Sequence, residues 1–189
     1  MPVNYDLPIV CHIDNKEYPI RNKGDYRVIL DIISALDDEG LTENNRIFAA
    51  LYIFYEGGNI PENTETAVKE MFDFISRGTD EQAQPKKIMD WEQDFPILIA
   101  PINRVLGQEI RALPYLHWWS FLSAYMEIGE CTFSFIVSIR EKRRKGIKLD
   151  KYEQEYYNTH RKMIDLKSSL SKAEEDWINE ILGGADNGL

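Results

Sequence analysis

Histidine, cysteine, serine and carboxylate side chains could do chemistry in this 189-residue sequence, and their spacing argues against it. His12, His117 and His160 are too far apart for any familiar ligand spacing, and no cysteine or carboxylate cluster stands beside them. Ser120 and Ser134 lack the strand-to-helix elbow of an activated nucleophile, and no glycine-rich loop follows a strand to cradle a phosphate. Asp37, Asp38, Glu39 and Glu43 form a run without the alternation of a calcium loop, so it reads as a solvated face. Cys11 and Cys131, remote in sequence, read as buried reduced thiols in a reducing compartment. The expectation is a protein that is not an enzyme and has no catalytic residue, no cofactor and no metal.

The elements that would hold these side chains are mostly helical. The organising stretch runs from Pro114 to Lys151 and holds the densest aromatic cluster and the only strong basic run. Pro114 suits a first helical position. Leu116, Trp119, Leu122, Tyr125 and Met126 then recur at helical spacing until Gly129. Thr132 is the expected cap of a second helix through Phe133, Ile136, Val137 and Arg140. Trp118, Trp119, Phe121, Phe133 and Phe135 supply large rings to bury, and Trp118 or Trp119, with Trp91, is expected in the core.

Upstream, Ile9 to Arg21 alternates around Asp14-Asn15-Lys16 as a β-hairpin, with Pro19 confining its second strand to an edge or end. Asp25 is set to cap a helix with Ile29, Leu30, Ile33 and Leu36 on one face. Thr42 caps another, apolar almost all round from Ile47 to Tyr55 and so expected to be buried on several sides. Asn63 or Thr64 begins a third, with Val68, Met71, Phe72 and Ile75 at helical spacing and Gly78 closing it. The polar stretch 79–87 reads as a hinge or long loop. Asp90 and Gln93 resemble a capping box for a helix reaching Leu106 that Pro101 should kink or divide. Asp150 caps a polar helix, Ser171 and Glu174 form another box, and residues 183–189 should fray. The fold class is mainly α: one multi-helix domain over 1–189, with about seven or eight helices and a short N-terminal β-hairpin.

Net charge is −10, yet Arg140 to Lys151 alone carries +5, leaving −15 for the rest. So acidic a chain is a poor general binder of nucleic acid, because attraction to phosphate is the main non-specific term. No apolar run is long enough to span a bilayer, and the first residues lack the basic and apolar regions of a secretory signal. Two surfaces could instead take a protein partner. The basic run, with Arg140, Arg143, Arg144, Lys145 and Lys148, reads either as charge favourable at a helix C-terminus or as a dock for an acidic face, including that of a second copy. The side of the last helix bearing Trp177, Ile178, Ile181 and Leu182 reads either as core closure or as a partner-binding face.

Three blocks taken in order carry a resemblance: Met89-Asp90-Trp91-Glu92-Gln93-Asp94; Tyr115-Leu116-His117-Trp118-Trp119 with Phe121-Leu122; and Ile139-Arg140 through Lys145 to Lys151. Tyr5 to Pro8 and the turn Asp37 to Thr42 also fit. Together, over about Tyr5 to Leu166, they resemble the bacteriophage "gene product fifteen" family of long-tailed phages and prophages of Gram-positive bacteria. The resemblance implies a tail-assembly chaperone that coats the tape-measure protein, recruits tail-tube subunits in the host cytoplasm and is absent from the mature virion. It supplies no catalytic residues, and self-association stays a separate expectation that rests on the basic run. The competing class is a small phage regulatory or interaction protein linked to nucleic acid, which would need a concentrated basic face.

Overall fold

The computed structural model describes residues 6–77 and 88–167, and the expectations for the 79–87 stretch, Gly78 and everything after Lys167 fall outside them. The described residues form a mainly α fold of seven α-helices behind one two-stranded antiparallel hairpin. The hairpin pairs β1 (Val10–Ile13) with β2 (Lys16–Pro19), Val10 opposite Pro19 and Ile13 opposite Lys16. Asp14 and Asn15 make the turn at φ 50° and 60°, the left-handed pair that matches strand twist. Cys11 and Ile13 point inward while His12 is exposed, so the alternation in sequence is the alternation in space.

Helices follow in order: α1 (Tyr26–Asp37), α2 (Glu43–Phe54), α3 (Thr64–Ser76), α4 (Trp91–Leu106), α5 (Trp118–Met126), α6 (Thr132–Arg144) and α7 (Lys151–Ile164). The caps are local chemistry and stand where the sequence puts them. Asp25, Thr42, Asn63, Asp90 and Asp150 each accept a backbone N–H from the first turn of their helix. Two starts differ. Cys131, not Thr132, precedes α6, its N–H donating to Ser134 Oγ at 2.8 Å. Pro114 lies in a loop ahead of α5, whose cap is His117. Pro101 does not divide α4, which runs unbroken through both prolines with Pro101 buried.

The buried faces follow helical periods in a phase that the sequence did not predict. In α1 the most buried side chains are Tyr26, Val28, Ile29 and Ile32, with Leu30, Ile33 and Leu36 only partly covered. In α3 they are Ala67, Met71 and Phe74, and in α5 Trp118, Phe121 and Ala124, while Met126 is 72% exposed. Short helices rich in apolar residues on more than one side have no single face to bury, so tertiary partners choose it. The main core gathers the hairpin and α1 to α5; a smaller cluster of Ile136, Ile139, Tyr157 and Ile164 joins α6 to α7, and Ile97 of α4 packs against both.

Trp118 sits at the centre, 1% exposed, stacked on Phe121 and against Trp91; Phe121 in turn stacks 4.8 Å from Tyr26. The tryptophan pair also closes α3. Trp118 Nε1–H donates to the Ile75 carbonyl and Trp119 Nε1–H to that of Phe74, both at 2.8 Å. Those carbonyls belong to the last turn of α3, where intrahelical donors run out, and that of Phe74 also takes the Arg77 N–H at 3.3 Å. Arg77, at φ 59°, ends that helix.

α1 and α5 start back to back. Tyr26 N–H donates to the Leu116 carbonyl, Trp118 N–H to that of Gly24, and Leu116 N–H to Asp25 Oδ2. Gly24 is required there: its φ is 72° and a Cβ would lie 2.5 Å from the Phe74 ring. His117, 1% exposed, accepts the Trp119 N–H at Nδ1. Its proton is therefore on Nε2, which donates to the Pro8 carbonyl at 3.0 Å.

Burial holds the His117 imidazole below its ordinary pKa of 6.5, against the opposing Pro8 hydrogen bond. The folded state thus favours the neutral ring, and an unfolded chain takes up the proton first as pH falls. This stability is present in full above about pH 6.5 and is lost below it. Urea unfolding should show a lower midpoint at about pH 5.5 than at about pH 7.5. In His117→Asn, which keeps a capping oxygen, the difference between the two pH values should shrink.

Candidate interaction surface

The residues suited to chemistry are dispersed. His12 is on β1, His117 caps α5, and His160 on α7 stacks on Tyr156 with ring centres 4.2 Å apart. Ser134 is spent on the start of α6. Burial, with the charge of Glu70 second, pushes the Cys11 thiol up to about 12, far from the thiolate a nucleophile needs. Among the described residues no group of three His, Cys, Asp or Glu could hold a metal, and no helix is long and apolar enough to cross a membrane. What the surface offers is contact area.

The basic run divides into two parts. Arg140 turns inward, 7% exposed, and lies against Asp94, itself 1% exposed, in a two-bond pair of 2.6 and 2.9 Å. Its remaining donors reach the carbonyls of Ile164, Met163 and Ile88. A residue so engaged joins α4 to α6 and α7 and presents nothing to a partner. The residues after it have carboxylates of their own: Lys142 pairs with Glu153, Arg143 with Asp165, and Arg144 and Lys145 with Glu141. Arg143 also lies 4.0 Å over the Tyr157 ring. Arg143, Arg144, Lys145 and Lys148 remain exposed.

The exposed apolar side chains were not expected. Phe48 is 62% and Tyr52 53% exposed, one turn apart on the outer face of α2, their rings stacked at 6.4 Å. The reverse face of α2 buries Ala50, Leu51 and Phe54. The all-round apolar pattern therefore serves a core on one side and an open aromatic pair on the other, where the sequence had suggested burial on several sides. A shallow groove beside it is lined by Leu36 of α1, Glu43, Arg46 and Ile47 of α2 and Phe72 of α3. On the opposite part of the chain, Phe135, Tyr152 and Tyr156 form a partly open aromatic group. Aromatic rings held open on a rigid helix are the usual anchors of protein contacts. Trp177, Ile178, Ile181 and Leu182 lie outside the described residues.

The family model described as bacteriophage Gp15 protein matches residues 3–102, more than half of the chain. The chain belongs to the bacteriophage Gp15 family. The Gp15 match covers the hairpin, α1 to α3 and most of α4, and so includes Phe48, Tyr52 and the groove. Of the three blocks that carry the resemblance, Met89 to Asp94 falls inside it and the two around Trp118 and Arg140 fall beyond it. No curated protein and no solved structure matches this Gp15 chain. The one sign of the open aromatic pair in the sequence is a helix too apolar for a single buried face.

Proposed function

We propose that this Gp15 chain is a tail-assembly chaperone. It binds the tape-measure protein in the host cytoplasm, keeps it soluble while tail-tube subunits are recruited, and is left out of the mature virion. The observation that carries this reading is the outward Phe48–Tyr52 pair on α2, inside the stretch that defines the family. A long helical partner with apolar faces needs a rigid aromatic surface to cover them. The acidic charge of the chain keeps such a complex dispersed. No chemical step is required, and the net charge of −10 disfavours the reading linked to nucleic acid.

The test is the double variant Phe48→Ser, Tyr52→Ser, co-expressed with the tape-measure protein. Each ring contributes about 1.5–3 kcal/mol when covered, so affinity should fall by about 100-fold or more. Both rings face solvent, so the melting temperature of the isolated variant should stay within a few degrees. Undiminished soluble tape-measure protein would remove this face from the contact. Failure of the unaltered chain to bind either the tape-measure or the tail-tube protein would defeat the chaperone reading.

A further inference from the structure

We infer that copies of this chain join head to tail, Ile147 of one copy seating in the apolar groove between α1, α2 and α3 of the next. Two features on different parts of the molecule match in apolar character and charge.

The first is the end of α6. Ile147 N–H donates to the Lys142 carbonyl and Gly146 N–H to that of Arg143, with Gly146 at φ 69°. This double-bonded helix end fixes the turn and normally tucks the apolar residue after the glycine against the helix. Here Ile147 is instead 52% exposed, flanked by Lys145 and Lys148. It is a rigid apolar knob in a basic setting.

The second is the groove. Leu36, Ile47 and Phe72 make its apolar lining and Glu43 its acidic side, and Asp37, Asp38 and Glu39 follow Leu36 directly in the turn to α2. Arg46 also lines it, but its Nε–H is donated to the Leu41 carbonyl. The surrounding charge repeats the pattern. Residues 6–77 hold fourteen acidic and seven basic residues, net −7, whereas residues 132–167 hold ten basic and five acidic, net +5. Like ends repel and unlike ends attract, which disfavours a two-fold pairing of identical patches and favours a polar, repeating contact.

The experiment uses the full chain alone, so its outcome is independent of any tape-measure protein. Sedimentation velocity over a range of concentrations should show species larger than a dimer at about 50 mM salt that shrink at about 500 mM, where charges are screened within a few ångströms. Ile147→Asp should block one end and Phe72→Asp the other, each weakening association at least tenfold. An equimolar mixture of the two variants should form a pair and nothing larger, because one intact knob meets one intact groove. Should either variant melt early, Lys148→Glu and Glu43→Lys, both at exposed positions, replace them; each alone should weaken association, and because the two reversed charges also attract each other, their mixture should regain species larger than a pair. A wild-type chain that stays monomeric or stops at a dimer would overturn the inference. So would oligomers indifferent to Ile147→Asp, or a variant mixture without a pair.

Discussion

Replacing Arg140 by alanine should lower the stability of this protein by about 3–5 kcal/mol, because it leaves the buried Asp94 carboxyl group without its strongest partner. Asp94 does keep one backbone donor, the N–H of Asp90, at 3.0 Å. For a chain of this size that is a fall of roughly 6–20 °C in melting temperature. The loss also takes a donor from the carbonyls of Ile164, Ile88 and Met163, of which Met163 keeps the Gln93 amide. Arg140→Lys should recover only part of it, since a single ammonium cannot reproduce the two parallel bonds to the carboxylate. The informative control removes both charges. Arg140→Met with Asp94→Leu should be far more stable than Arg140→Ala alone, because the desolvation cost disappears with the pair. Thermal melts of the three variants measure this, and an Arg140→Ala protein melting like wild type would show that the pair is dispensable.

Trp118→Ala should cost about 3–5 kcal/mol, the range for an aromatic ring deleted from a packed core. The indole is stacked on Phe121 and edge-on to Trp91, and its N–H closes the Ile75 carbonyl. Trp119→Ala should cost clearly less, as that ring is only partly buried although its N–H makes the equivalent bond to Phe74. Trp118→Phe separates packing from capping. It keeps most of the ring contact and loses the hydrogen bond, so about 1–3 kcal/mol should remain lost. Denaturant titration of the three variants gives the order. Equal losses for Trp118→Ala and Trp119→Ala would mean that the capping bonds, and not burial, dominate this pair.

What the sequence made legible was what neighbours in sequence decide. Asp25, Thr42, Asn63, Asp90 and Asp150 cap their helices because a short polar side chain needs to reach only two or three residues along the chain. The Asp14-Asn15 turn and the edge position of Pro19 are local in the same way. What was not legible depended on distant partners. Arg140 looked like helix-end charge because Asp94 is 46 residues away. Gln93 looked like half of a capping box; the reciprocal bond comes from Asp94 instead, and the Gln93 amide reaches Met163, Asp165 and Lys167. Helical period identified α2, but the period of an all-apolar helix says nothing about which side faces out, so the open positions of Phe48 and Tyr52 were not legible.

The bonds from Asp94 to Arg140 and from Gln93 to Met163, Asp165 and Lys167 impose an order of assembly during synthesis. At about 5–20 residues per second, α4 is complete roughly 3–12 s before Lys167 is made. Throughout that interval Asp94 has no Arg140 and the start of α4 has no α7 to lie against. A nascent chain can gather its hairpin and first three helices early, but the start of α4 gains its Arg140 and Gln93 contacts only when residues 140 and 163–167 arrive. The docking of α7 against the start of α4 is therefore a late step in building this fold.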